Sequence, residues 1–166
     1  PDGEPVMNLE EELPRIDRAI ATGELARNPA LQQAVAALKR TGGVCHLAGL
    51  ISPGGVHSHQ RHAVALAKIF ATEGIKTILH VMTDGRDTAP SSARGFVGEF
   101  AAALPALAKI GTVIGRFYAM DRDNRWQRVE QAHAAMAEAT GAHFSTADAA
   151  IEASYAAKIT DEFIKP

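Results

Sequence analysis

The sequence predicts an α/β fold, a three-layer α/β/α sandwich around a mainly parallel sheet. Three apolar runs of strand length, at 44–51, 75–82 and 112–117, alternate with segments whose apolar residues recur at helical spacing. The first run is almost continuously apolar, which is typical of a parallel strand covered on both faces. Strands that alternate with helices over short connections predict a parallel sheet with right-handed crossovers. The length of 166 residues favours one domain.

Two helices are predicted before the first strand. Apolar residues in 10–21 follow helical spacing, and Asn28 followed by Pro29 predicts an N-cap with proline at the first helical position. That second helix extends through Lys39 and ends at the glycine pair 42–43.

Further helices are predicted after each strand. Their apolar spacing places them at 63–74, 91–107, 125–140 and 147–158. Residues 1–12 are expected to form a linker or junction, and residues 13–166 the domain.

Composition and charge exclude several classes of function. Lys and Arg number 17 against 19 Asp and Glu, so a formal net charge of -2 provides no overall basic field for nucleic acid or an anionic membrane. No apolar run approaches the roughly 20 residues that cross a bilayer, and the N-terminus shows no secretory signal. Cys45, the single cysteine, is compatible with a reducing compartment. We therefore expect a cytoplasmic protein that binds neither nucleic acid nor membranes.

Three polar clusters follow the three predicted strands. They are Gly54-Gly55-Val56-His57-Ser58-His59, Asp84-Gly85-Arg86-Asp87-Thr88 and Gly115-Arg116-Phe117-Tyr118-Ala119-Met120-Asp121-Arg122-Asp123. The loops after the strands of an open α/β sheet converge at one edge, so these clusters should meet. Because each contains histidine or arginine, the sequence predicts an anion-binding site at that edge.

The first cluster offers histidines for two kinds of site. Gly54 and Gly55 allow a tight turn with exposed N–H groups at a helix start, which makes His57 a candidate anion ligand; a loop that merely turns is the alternative. A metal site would need His57, His59 and His62 to converge, but residues two apart do not share a helix face. We expect no metal here, with His59 and His62 hydrogen-bonded or at the surface.

The second cluster pairs carboxylates with a guanidinium. A carboxylate beside Arg86 stays ionised and can accept a proton from a hydroxyl that the arginine positions, which makes this cluster a candidate for catalysis. In the alternative interpretation, Asp84 or Asp87 caps the helix that begins near Ser91, and Arg86 forms a local salt bridge. The sequence of this cluster does not favour one interpretation over the other.

The third cluster contains Arg116 and Arg122. Arginine presents a planar fork that can bind phosphate or carboxylate through two hydrogen bonds. A solvated charge run at a helix start is the alternative. Arg116 directly follows an apolar strand, where an unpaired charge is unfavourable, so we expect an anion or an acidic side chain beside it.

These strings resemble, in order and spacing, those of cofactor-independent (2,3-bisphosphoglycerate-independent) phosphoglycerate mutases. The third string extends to Trp126, and segments 13–20 and 159–163 also resemble the family, so the similarity covers the chain from about Leu13 onward. The departures are small and remove no charged functional residue: Pro53, Ala89 and Phe117 stand where the family usually has Asp, Pro and Tyr.

The resemblance implies a part of a larger enzyme. In this family a phosphatase-like domain contains a serine nucleophile and two manganese ions, and an inserted phosphotransferase domain holds the glycerate. Residues 13–166 would be part of that phosphotransferase domain, with the phosphatase domain of the same protein as partner. The parent would interconvert 2- and 3-phosphoglycerate through a phosphoserine intermediate, in glycolysis and gluconeogenesis.

The resemblance also implies roles for five residues. Its motifs imply that 2- or 3-phosphoglycerate is bound by His57, Arg86, Asp87, Arg116 and Arg122. Asp87 would also be the general base for the glycerate hydroxyls. The family's serine and manganese-binding motifs have no counterpart here, so we expect no metal in this chain and no activity from it alone. The alternatives are a non-catalytic module that binds a phosphorylated carboxylic acid and a metal-dependent hydrolase built on His57, His59 and Asp87.

Overall fold

Three parallel strands form the centre of the fold. The structure is a computed structural model that describes residues 9–166, with side chains described from Glu12 onward. The elements follow one another as α1 (Leu9–Ala21), α2 (Glu24–Arg27), α3 (Pro29–Thr41), β1 (Cys45–Leu50), α4 (Gln60–Thr72), β2 (Thr77–Thr83), α5 (Ala93–Ala103), β3 (Ala108–Gly115), α6 (Arg116–Ala119), α7 (Trp126–Glu138), α8 (Ala147–Ala156) and a 3-10 helix (Asp161–Phe163).

The sheet has the order β1-β2-β3 and is parallel throughout. Leu47 lies opposite Leu79, and Val81 lies opposite Val113. Because the strands are parallel, the carboxyl ends of all three lie at the same edge of the sheet. The predicted α/β class with a parallel sheet is confirmed.

Helices pack on both faces of the sheet. Val113 of β3 packs into the main core, which α5 and α8 close with Phe100 and Ile151. The next residue, Ile114, points to the other face and packs against Ala132 of α7. Helices therefore lie on both faces of the sheet, as the sandwich prediction requires. On the α7 face His46 of β1 is exposed, so this layer covers the β3 side of the sheet.

Several element boundaries differ from the predicted ones. Helix α1 begins at Leu9, so residues 9–12 of the expected linker belong to a helix, while residues 1–8 lie outside the described part of the chain. Strand β3 ends at Gly115, although the predicted strand extended to residue 117. Arg116 is the first residue of the short helix α6. The N-cap prediction is confirmed, because the Asn28 side chain accepts hydrogen bonds from two backbone N–H groups of α3.

The chain end crosses the carboxyl edge of the sheet. Thr83 at the end of β2 donates its hydroxyl to the carbonyl of Asp161 over 2.7 Å. The N–H of Gly115 at the end of β3 donates to the carbonyl of Ile164, also over 2.7 Å. A Cβ at Gly115 would lie 2.3 Å from the carbonyl oxygen of Glu162. The missing side chain of Gly115 therefore lets the 3-10 helix pack directly on the strand ends.

Asp161 also caps helix α5. Its carboxylate is fully buried and accepts hydrogen bonds from the N–H groups of Ser92 and Ala93, each over 2.9 Å. Tyr155 donates its hydroxyl to the same carboxylate. Burial and this hydrogen bond raise the pKa of Tyr155 to about 12. The alternative in which Asp84 or Asp87 caps this helix is therefore wrong, since Asp161 fills that position.

No helix among the described residues combines the length and apolar character needed to span a membrane.

Candidate functional site

The loops after the three strands meet around Asp84. Ser52, which follows β1, donates its hydroxyl to Oδ2 of Asp84 over 2.7 Å. Arg116, which follows β3, donates from Nη1 to Oδ1 of Asp84 over 2.7 Å. The three predicted clusters therefore converge at one edge of the sheet, as parallel strands dictate.

Asp84 is the most buried charged residue of this cluster, with 2% of its surface exposed. Besides Ser52 and Arg116, it accepts hydrogen bonds from the N–H groups of Arg86 and Asp87, at 3.2 and 3.0 Å. Burial by itself raises the pKa of Asp84, but these four hydrogen bonds outweigh burial and keep the pKa below its ordinary value. Asp84 is therefore a carboxylate that fixes the loop on which Arg86 and Asp87 lie.

Asp87 lies between a guanidinium and an imidazole. Its Oδ2 accepts a hydrogen bond from Nη1 of Arg116 over 2.7 Å and lies 3.6 Å from Nε2 of His57. The Asp87 side chain retains 17% exposure. It is thus held in place by Arg116 while staying partly accessible, an arrangement that suits a proton acceptor.

Arg116 is paired with acids on its buried side. Its side chain is 10% exposed, and Nη1 donates to both Asp84 and Asp87. Burial lowers the pKa of Arg116, but the hydrogen bonds to Asp87 and Asp84 outweigh it and raise the pKa overall. Of the two expected partners for this arginine, an anion or an acidic side chain, the structure shows the acidic side chains.

A cavity of about 310 Å³ opens beside this cluster. Its lining includes four of the predicted residues, His57, Arg86, Arg116 and Arg122. Asp87, the fifth, lies behind the lining and contacts His57 and Arg116. The cavity size falls at the lower end of those that hold small ligands in proteins.

Other residues of the lining were not singled out from the sequence. Glu162 and Phe163 arrive on the 3-10 helix, with Oε1 of Glu162 lying 3.8 Å from Nη1 of Arg86. Arg128 reaches the cavity from α7. A run of charges at a helix start does not reveal which of its members turns inward, and no local pattern links Glu162 to Arg86.

His59 and His62 both lie at the start of α4. Helix α4 begins at Gln60, three residues before the predicted start at 63, but Gly54 and Gly55 still do not stand at its start as expected. His59 is its N-cap and accepts a hydrogen bond from the N–H of Arg61. Nε2 of His62 lies 2.7 Å from Oδ1 of Asp17 on α1.

Metal ligands do not cluster in the part of the chain that the structure describes. No group of three or more His, Cys, Asp or Glu side chains there is arranged to hold an ion. The described residues therefore do not fit the two manganese ions that the resemblance implies for the parent enzyme.

A scan against protein families gives one description for nearly the whole chain. The model described as "BPG-independent PGAM N-terminus" matches residues 16–166, which include all three clusters. The chain belongs to this family. BPG-independent PGAM stands for 2,3-bisphosphoglycerate-independent phosphoglycerate mutase, so the predicted family is confirmed.

Curated relatives with this name are identical to the chain at about half of the aligned positions. The phosphoglycerate mutase of Gluconobacter oxydans is 53% identical over 156 residues, that of Rhodopseudomonas palustris 55% over 156, and that of Agrobacterium fabrum 51% over 155. These matches cover 93 to 94% of the chain and 31% of each relative. The chain thus spans about a third of the length of these phosphoglycerate mutases.

Proposed function

We propose that this chain is the substrate-holding part of a phosphoglycerate mutase and that it binds 2- or 3-phosphoglycerate in the cavity beside Arg116. One observation carries the proposal: histidine and arginine side chains of all three clusters meet at a single cavity in a chain that belongs to this family. The curated relatives are mutases of this kind by name.

The charges around the cavity suit a ligand with two anionic groups. Phosphoglycerate has a phosphate and a carboxylate, and the planar fork of arginine binds either group with charge-assisted hydrogen bonds. Arg86 keeps 55% of its side chain exposed, and Arg122 is exposed as well. Both are therefore available to a ligand, and Arg116 lines the same cavity while its Nη1 holds Asp84 and Asp87.

In this proposal Asp87 is the general base. It accepts a proton from a glycerate hydroxyl while Arg116 and Asp84 hold it in place. Phosphoryl transfer depends mainly on positioning and electrostatic stabilisation, and this chain supplies the positioning of the glycerate. The phosphoserine and the manganese ions belong to the phosphatase domain of the parent, the proposed partner, so the chain alone does not turn substrate over.

Calorimetric titration with 3-phosphoglycerate tests the binding step. The chain should bind with a dissociation constant below about 1 mM, with the same affinity in the presence of manganese and of a chelator. Arg122→Ala should weaken binding about tenfold or more, as expected when a charge-assisted contact is lost. Arg125→Ala is the matched control, because Arg125 lies in the same loop but outside the cavity lining.

Two results would overturn the binding proposal. One is the absence of binding at millimolar ligand, and the other is an equal loss of affinity in Arg122→Ala and Arg125→Ala.

A chimeric enzyme tests the catalytic step. The chain replaces the matching segment of the Gluconobacter oxydans mutase, to which it is 53% identical. The chimera should interconvert 2- and 3-phosphoglycerate, and Asp87→Asn in it should abolish turnover without loss of folding. Wild-type turnover in Asp87→Asn would exclude Asp87 as the base. A folded chimera that binds ligand without turnover would instead favour the non-catalytic binding module.

A further inference from the structure

Asp121 organises the loop on which Arg122 lies. The Asp121 side chain is 2% exposed. Its Oδ2 accepts hydrogen bonds from the N–H groups of Asp123 and Arg125, at 3.2 and 2.7 Å. Its Oδ1 accepts a third from Nη1 of Arg128, at 2.9 Å. One buried carboxylate therefore folds the loop around itself and ties it to α7.

Arg128 connects this loop to helix α6. The centre of its guanidinium lies 3.7 Å from the centroid of the Phe117 ring, a stacked cation-π contact. Phe117 directly follows Arg116 in the chain. The ring of Phe117 is in turn packed against that of Phe163, with centroids 5.1 Å apart. The planar face of the Arg128 guanidinium thus contacts Phe117, next to Arg116 in the chain. Its edge contacts Asp121, next to Arg122.

We propose that Asp121 and Arg128 are positioning residues that set the separation of Arg116 and Arg122. The inference rests on the proposed function, in which both of these arginines bind one ligand. An exposed arginine on an irregular loop would otherwise lose conformational freedom when it binds, which weakens affinity. With the loop held beforehand, the site favours a ligand whose two anionic groups match the spacing of the arginines.

The geometry predicts that lysine cannot take over the role of Arg128. Lysine keeps the positive charge but lacks the planar group that stacks on Phe117 while donating from its edge to Asp121. Arg128→Lys therefore removes the link between the two segments at constant net charge. Asp121→Asn tests the same link from the other side, since the asparagine amide nitrogen cannot accept a hydrogen bond.

Titration with two ligands separates positioning from simple attraction. Arg128→Lys should weaken 3-phosphoglycerate binding about tenfold or more, while the affinity for inorganic phosphate, a single anionic group, should change by about twofold or less. Gln127→Ala is the control, because Gln127 is exposed and lies beside Arg128 on α7. Equal losses for both ligands, or no loss for either, would overturn the proposal.

Amide hydrogen exchange gives a readout that needs no ligand. In the wild-type chain the amides of Asp123 and Arg125 should be protected by Asp121, and Arg128→Lys should speed their exchange while leaving α5 unchanged. Unchanged exchange at Arg125 would overturn the positioning role. If the wild-type chain binds no 3-phosphoglycerate, the proposed function fails, and the exchange measurement still decides whether Arg128 holds the loop.

Discussion

Nη1 of Arg116 donates to Oδ1 of Asp84 over 2.7 Å, and this contact joins the end of β3 to the end of β2 beneath the cavity. The same nitrogen also holds Asp87. Arg116 is therefore as much a part of the framework of the site as of its proposed ligand-binding surface. Substitutions here should change stability before any ligand is added.

Arg116→Ala should lower the free energy of unfolding by about 3 kcal/mol, because it leaves two largely buried carboxylates without their shared cation. Urea denaturation of the ligand-free chain measures this. Arg94→Ala is the control, since Arg94 also pairs with two acids, Asp148 and Glu152, but on the surface. A loss in Arg116→Ala no larger than that in Arg94→Ala would contradict the framework role.

Asp84→Asn should lower the free energy of unfolding by about 2 kcal/mol, because buried donors lose their acceptor. The pKa of Asp84 is lower in the folded chain than in the unfolded chain. Its contribution is therefore complete above about pH 4 and is lost as the pH falls through the folded value. Urea denaturation at several acidic pH values should show a shallower loss in Asp84→Asn than in the wild type. Parallel curves would contradict this.

The sequence predicted the sheet and the convergence of the three clusters because both follow from local apolar patterns and from parallel connectivity. It did not predict the role of Asp84. Asp84 is bound by Ser52 and Arg116, each 32 positions away, and nothing in a local pattern specifies such a pairing. The residues next to Asp84 in the sequence are compatible with a helix cap and give no sign of its distant partners.

The same limit explains the other residues that were missed. Asp161 caps α5 from 68 positions away, and Glu162 reaches Arg86 only because the 3-10 helix crosses the strand ends. Strand β3 ends two residues before the predicted end at 117. Gly115 lets the chain turn closely beneath Glu162, so Arg116 enters α6, and the apolar run continues past the strand.

Asp17 should control the attachment of α1 to α4. Hydrogen bonds from Arg61 and His62 lower the pKa of Asp17 to about 2. Its stabilising contribution is thus present above about pH 4 and is lost as the pH falls towards 2. Asp17→Asn, which mimics the protonated form, should reduce amide protection in α1 at neutral pH and leave α5 unchanged. Hydrogen exchange that is identical to wild type in α1 would exclude this role.

Gly115→Ala should destabilise the chain by about 2 kcal/mol through overpacking. The new Cβ would lie 2.3 Å from the carbonyl oxygen of Glu162 and 2.6 Å from the nitrogen of Ile164, both backbone atoms. Thermal or urea unfolding measures the loss. Gly98→Ala in α5 is the control, because its Cβ would meet nothing within 4 Å. That change should stabilise the helix by about 0.5 to 1 kcal/mol, and equal effects at the two glycines would contradict the steric argument.

The hydrogen bond from Thr83 to Asp161 joins residues 78 positions apart. Closing so long a loop is entropically unfavourable until the contacts on either side have formed, and contacts of long sequence separation slow folding. We therefore expect the cavity wall that contains Glu162 and Phe163 to form late in folding. During synthesis, β1 and β2 leave the ribosome well before the segment that completes the proposed binding site.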